Sequence, residues 1–343
     1  MPDSKLMIFV IIFVTVFVQC HSRQSPQYTF QNVTVHLKVA NQSQPWRKIF
    51  IARATSAISF LNKTGARVKV IQFKQQRIPV LFRNSLSEVT KVSKLKLNGC
   101  GVQEIHPDFL SNRAKIFEFD LSENEIRDIK YGVFTDINIK RLYLNNNKIH
   151  QITNEAFSNM KKLELIILSN NRLTAWDSSW FLGTPVRHVD FSSNLIEELP
   201  QGAFDYFQEF KKKTYGEFFY INFNNNLLTK LRKGTLPEVN SLWFLFLEKN
   251  FIEEIEYGFF SGIKKMEALK LGNNRLSIFD SHLLEDLNLR YLKIDTNYIQ
   301  NIDVNITEIL NISNNPLSQE CRMQWNERLI RDRARFERFF YVS

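Results

Sequence analysis

One pattern of eleven residues returns along most of the chain at a nearly constant interval. Apolar residues hold its first, fourth, sixth and eleventh places, and asparagine holds its ninth. IFEFDLSENEI carries it at Asn124, IKRLYLNNNKI at Asn147, LELIILSNNRL at Asn171 and VRHVDFSSNLI at Asn194. FFYINFNNNLL, LWFLFLEKNFI, MEALKLGNNRL and LRYLKIDTNYI continue it at Asn226, Asn250, Asn274 and Asn297. The steps between the asparagines are 23, 24, 23, 32, 24, 24 and 23 residues. Degenerate copies flank these: Gln76 takes the asparagine place in VKVIQFKQQRI, Cys100 takes it in VSKLKLNGCGV, and TEILNISNNPL carries Asn315 in a shortened last copy. Ten residues after the asparagine stand Phe134, Phe157, Phe181, Phe204 and Phe260, with Leu86, Leu110, Leu236 and Leu284 in other copies.

The alternation around the fourth and sixth places has a period of two, which rules out an amphipathic helical array and predicts one short strand per copy. Stacked copies would place neighbouring strands roughly 4.8 Å apart in a parallel ladder. After the strand the chain must turn sharply, which leaves backbone groups unpaired inside. The asparagine amide both donates and accepts, so it can satisfy them. The Phe ten residues on should plug the opposite side. No copy can bury its own apolar face, so stability has to come from neighbours. Period and motif together resemble the leucine-rich repeat. The resemblance implies an α/β class solenoid with a curved parallel sheet on the concave face, an N-terminal strand cap and a C-terminal helical cap.

The ends of the chain depart from the pattern. Lys5 precedes the apolar run LMIFVIIFVTVFV, which then meets QCHSRQ; a run of this length reads as a secretory signal peptide over residues 1–22. It is short of the about 20 residues needed to span a bilayer. The product is expected to be extracellular, without stable membrane insertion, and the net charge of +10 is then poorly explained by nucleic acid. Residues 23–66 form an N-terminal cap in which YTFQNVTVHLKV alternates like a strand, 67–317 form the solenoid, and 318–343 form a C-terminal cap. In that last segment ERLIRDRARFERFF reads as a basic cap helix. The long step contains DYFQEFKKKTYGE, residues 205–217, read as a neutral loop insertion or, alternatively, as a partner contact or a protease-sensitive site.

Of three cysteines, Cys20 falls at the signal, leaving Cys100 and Cys321. They lie nine copies apart, about 40 Å at strand spacing, too far to pair. Cys100 is expected in the core. Cys321 is either a shielded thiol or the link in a disulfide-bonded dimer.

No catalytic or metal-binding constellation occurs among the histidines, cysteines and glycines, so no enzyme activity, metal or cofactor is expected. The places six and four before each asparagine should face outward on the strands. They give Lys94 and Lys96, Glu118 and Asp120, Arg141 and Tyr143, Leu165 and Ile167, then His188 and Asp190. Tyr220 and Asn222, Phe244 and Phe246, Ala268 and Lys270, Tyr291 and Lys293 follow. A solvated face does not favour Leu165, Ile167, Tyr220, Phe244 and Phe246. Apolar clusters of this kind mark interaction sites, where aromatics and Arg are enriched. The candidate binding residues are therefore Arg141, Tyr143, Leu165, Ile167, His188, Asp190, Tyr220, Asn222, Phe244, Phe246, Tyr291 and Lys293. Glycosylation acceptors are expected at Asn32, Asn41, Asn62, Asn305 and Asn311.

The YTFQNV lead-in, the VKVIQFKQQRIPVLF first repeat, the Phe-plugged copies and the NPLSQECRMQW segment resemble the secreted leucine-rich-repeat proteins of insects, in particular the mosquito immune group. That group works with complement-like thioester proteins and carries a cysteine cluster and a coiled coil after the repeats. The present chain has no heptads before Ser343 and resembles a coil-less type. The resemblance implies an innate immune recognition or scaffold protein that binds another extracellular protein, immune or microbial. The alternative is a structural role in extracellular matrix or cell adhesion.

Overall fold

The computed structural model describes residues 29–39, 47–54, 68–73, 76–87, 89–206, 219–303 and 309–323. The segment expected to be a signal peptide, most of the 205–217 insertion, the segment expected to form a basic C-terminal helix, Asn41, Asn62 and Asn305 lie outside the described residues. The chain divides into two compact units, Met1–Glu164 with Trp180–Thr184, and Leu165–Ser179 with Pro185–Ser343.

In the first unit the strands Val68–Phe73, Lys91–Lys96, Lys115–Asp120 and Asn138–Tyr143 lie side by side and parallel. Two further strands precede them. Phe30–Val39 runs antiparallel to both Arg47–Ala54 and Val68–Phe73, with Val35 opposite Phe73 and Leu37 opposite Ile71. In the second unit Leu165–Ile167, His188–Asp190, Tyr220–Asn222, Val239–Phe246, Ile263–Lys270, Asn288–Lys293 and Ile309–Asn311 form a parallel series in this order. The fourth and sixth places of the pattern point inward, as in Leu245 and Leu247 or Ile221 and Phe223, all buried.

The asparagines in the ninth place tie separate stretches of backbone together, as Asn124, Asn147, Asn194 and Asn226 show. Asn124 Oδ1 accepts from the N–H groups of Cys100 (2.9 Å) and Val102 (3.0 Å), while its amide donates to the carbonyls of Leu97 and Leu121, both at 2.9 Å. Asn226 accepts from Ile196 N–H and donates to Phe191 and Phe223 carbonyls. The same contacts recur at Asn250, Asn274 and Asn297. Each donor and acceptor would otherwise be buried unpaired, at a cost of about 1–3 kcal/mol. Cys100, in the degenerate copy before Asn124, donates its thiol to the Phe73 carbonyl at 3.4 Å instead. Burial pushes that thiol up to about 11.

The residue before each of these places adopts a left-handed backbone. Gly99 has φ 65°, Asn146, Asn170 and Asn225 each 56°, and Glu123, Ser193, Lys249 and Thr296 lie between 54° and 58°. Gly and Asn enter this region readily; a β-branched Thr does so only under strain.

The side opposite the strands differs from the α/β expectation. Its regular structure in the described residues is two-residue parallel strands and short 3-10 turns, with a helical stretch only at 319–323. Val80–Leu81 pairs with Glu104–Ile105, Asp128–Ile129 with Gln151–Ile152, Lys230–Leu231 with Glu254–Ile255, and Phe279–Asp280 with Ile302–Asp303. Backbone donors here reach the neighbouring copy, as Asn84 N–H to Asp108 O and His106 N–H to Leu81 O, rather than the carbonyl four residues back. Left-handed residues such as Asp108, Gly132, Asp136 and Asn159 interrupt any helical run. Beneath this layer the Phe plugs stack. Phe134 and Phe157 have ring centroids 5.7 Å apart, and Phe157 and Phe181 5.5 Å. In the second unit Trp176 packs on Phe191, Phe204 and Phe223, and its indole N–H donates to the Ala203 carbonyl.

Candidate protein-binding face

The second unit presents two rows of outward side chains, one residue from each strand. Pairing places Leu165, His188, Tyr220, Phe244, Ala268, Tyr291 and Ile309 in the first row. Ile167, Asp190, Asn222, Phe246, Lys270, Lys293 and Asn311 form the second. Seven strands at about 4.8 Å spacing give the rows a length of about 29 Å.

Aromatic contacts run along the first row. The His188 and Tyr220 rings stack at 4.1 Å, and Tyr220 meets Phe244 and Phe246 edge-on at 6.1 and 5.3 Å. Phe244 and Phe246 then pack against Ala268, Tyr291 and Ile309, which are 3%, 6% and 6% exposed although they project from the outward face of the sheet. An apolar cluster thus lies on the strand side as well as in the core. Phe244 and Phe246 are half-buried, so each leaves part of a ring to solvent.

Charge gathers beside this cluster. Lys293 forms ion pairs with Glu248 and, at 3.6 Å, with Asp295. Gly272 lies between those two carboxylates, and a Cβ there would stand 2.3 Å from Asp295 Oδ1. Burial works against the Lys293 charge, but hydrogen bonding to Glu248 and the two carboxylate charges outweigh it and raise its pKa. The Lys270 ammonium lies 4.2 Å over the Phe246 ring, and burial lowers its pKa. Burial, then the Asp190 charge, pushes Tyr220 up to about 12. Burial, Glu248 and Asp295 likewise raise Tyr291.

Of the residues expected at the site, Leu165, Ile167, His188, Asp190, Tyr220, Asn222, Phe244, Phe246, Tyr291 and Lys293 share this one face. Arg141 and Tyr143 belong to the first unit, where the Arg141 guanidinium lies 5.0 Å over the exposed Phe117 ring. Ile309, Glu248 and Asp295 were not among the expected residues. The shortened last copy already placed Ile309 six residues before Asn315. Glu248 and Asp295 stand two residues before their asparagines, a place that the alternating pattern leaves unassigned.

Asn32 is exposed, and Asn311 is half-buried with Oδ1 accepting from the N–H (3.1 Å) and hydroxyl (2.8 Å) of Ser313. Cys100 and Cys321 are free thiols, and Cys321 is 4% exposed, so a link to another chain would require it to leave its buried place. No helix among the described residues is long and apolar enough to cross a membrane.

Residues 81–211 match the model of the BspA type leucine rich repeat region, and residues 245–299 match that of the leucine rich repeat. The chain belongs to the leucine-rich-repeat proteins. It is 27% identical to osteomodulin of Bos taurus over 229 residues, 60% of this chain and 51% of the relative. The chain thus spans about half the length of that curated relative. Among solved leucine-rich-repeat structures, that of a TLR13–ssRNA13 complex superimposes with TM-score 0.57 at 20% identity, covering 71% of this chain and 35% of the other. The Drosophila Toll–Spatzle complex gives TM-score 0.57 at 21% identity over 68% and 33%. At these identities the two structures show the repeat fold alone.

Proposed function

We propose that this leucine-rich-repeat protein is secreted and binds another extracellular protein through the strand face of its second unit, in innate immune recognition or as a scaffold. The observation that carries the reading is the apolar cluster on that face. Tyr220, Phe244 and Phe246 are half-buried rather than covered, and charged groups border them. Aromatic surface with a charged rim is the composition of binding hot spots. Toll, similar in fold, is seen in complex with Spatzle, a complex described as a molecular hub in Drosophila development and innate immunity. The flanking strands 30–54 are read as an N-terminal cap and residues 318–343 as a C-terminal one. Cys321 is read as a shielded thiol.

Affinity capture from native extracellular fluid tests the proposal, with wild type beside Phe244→Asp/Phe246→Asp. Loss of one defined partner by a variant with an unchanged melting curve supports it; the same partners on both would move the binding site elsewhere. Recovery of matrix components by wild type, with lost capture by the variant, would favour a structural role in matrix or adhesion.

A further inference from the structure

The aromatic face carries a carboxylate, Asp190, that is held in place by its own turn and has no ion pair with a lysine or arginine among the described residues. Asp190 Oδ1 accepts from Ser192 N–H at 2.9 Å and from the Ser192 hydroxyl at 2.7 Å, which fixes the carboxylate in one orientation on the sheet surface. Its register neighbours are Ile167 and Asn222, neither of them cationic. Lys293 is different, because Glu248 and Asp295 already engage it. The charge of Asp190 is felt at Tyr220, whose ring adjoins those of Phe244 and Phe246.

A ligand covering this face must therefore displace water from a fixed, half-buried carboxylate. A wholly apolar ligand would leave that carboxylate without hydration or partner, which is costly. An acidic ligand would add repulsion. A cation satisfies it through charge-assisted hydrogen bonds, and a guanidinium does so with a planar group suited to a site beside the stacked His188 and Tyr220 rings.

We infer that the partner is a protein segment anchored by an arginine or lysine on Asp190, with an apolar side chain of the same segment on Phe244 and Phe246. This rests on the protein-binding reading of the face. Asp190 and Phe246 stand two strand steps apart, about 10 Å, which an extended segment crosses in about three residues.

Short random peptides displayed on phage and selected against the full chain test the inference. The enriched peptides should share an Arg or Lys about three residues from an aliphatic or aromatic residue. Synthetic copies should bind Asp190→Asn about ten-fold more weakly or worse, since a charge-assisted bond is lost while the side-chain oxygen that accepts from Ser192 is retained. They should also fail to bind Phe246→Ala, and bind less tightly as salt rises. Melting curves confirm that both variants fold. Peptides that lose binding to Phe246→Ala but bind Asp190→Asn unchanged would overturn the cationic anchor and leave the protein-binding face standing. Binding indifferent to both substitutions, or no enrichment, would overturn both readings.

Discussion

Thr296 is a β-branched residue held at φ 54°, in a turn where other copies place Gly or Asn. Its hydroxyl makes only long contacts, 3.4 Å to Asp295 and 3.5 Å from Asn314. Thr296→Asn should raise stability by about 1 kcal/mol in a urea titration, since Asn accepts this backbone region more easily. Asn226→Ala should do the reverse and cost about 3 kcal/mol, because Ile196 N–H and the Phe191 and Phe223 carbonyls lose their partner inside the fold. Tyr220 gives a pH dependence. Its folded pKa lies at about 12 against the usual 10, so the folded state holds the phenolic proton more tightly. That contribution is complete below pH 10 and is lost as pH rises through about 12, which ultraviolet titration of wild type beside Tyr220→Phe would follow. The asparagine role was legible because amide chemistry is local to one residue. The strained backbone before it was not, since Glu123, Ser193, Lys249 and Thr296 share no side-chain signature for it.

At the level of strands and turns, the Phe plugs act as a stacked series. Phe157 lies between Phe134 and Phe181. Phe157→Ala should cost about 3–5 kcal/mol, read from the denaturant midpoint, because the neighbouring rings are fixed by their own turns and cannot close the cavity. These positions were readable from sequence, as were the inward Leu and Ile places, because spacing alone determines which side of a strand a residue takes. The regular structure of the layer opposite the strands was not read from the sequence, in which only the Phe plugs and the α/β class were legible there. Its residues bond sideways to the next copy, and that choice depends on a neighbour some two dozen positions away, beyond any local propensity. The candidate binding face was half legible. Phe244 and Phe246 announced themselves as apolar residues at outward places. Their packing onto Ile309, and the Lys293 pairing with Glu248, arise only when copies are laid side by side.

For the whole molecule, nearest-neighbour stabilisation means that damage should spread by proximity along the stack. In Asn226→Ala, faster hydrogen exchange is expected first in the strands His188–Asp190, Tyr220–Asn222 and Val239–Phe246, with weaker effects in Asn288–Lys293 and Ile309–Asn311. Uniform acceleration across the second unit would contradict nearest-neighbour stacking. The thiols belong to the same picture. Cys100 is buried with its pKa raised to about 11, so at neutral pH it should resist labelling until urea opens the fold. The asparagine lattice also bears on how the molecule ages. Deamidation requires the backbone nitrogen after an asparagine to attack its side-chain carbon. At Asn250 and Asn274 that nitrogen, of Phe251 or Arg275, is already donating to the preceding copy, and the amide itself is pinned by carbonyls. At Asn98 the next nitrogen, of Gly99, also donates, to the Ser122 carbonyl, but the residue is glycine and no carbonyl pins the Asn98 amide among the described residues. Peptide mapping after prolonged storage should find isoaspartate at Asn98 well before it appears at any asparagine that spans two copies.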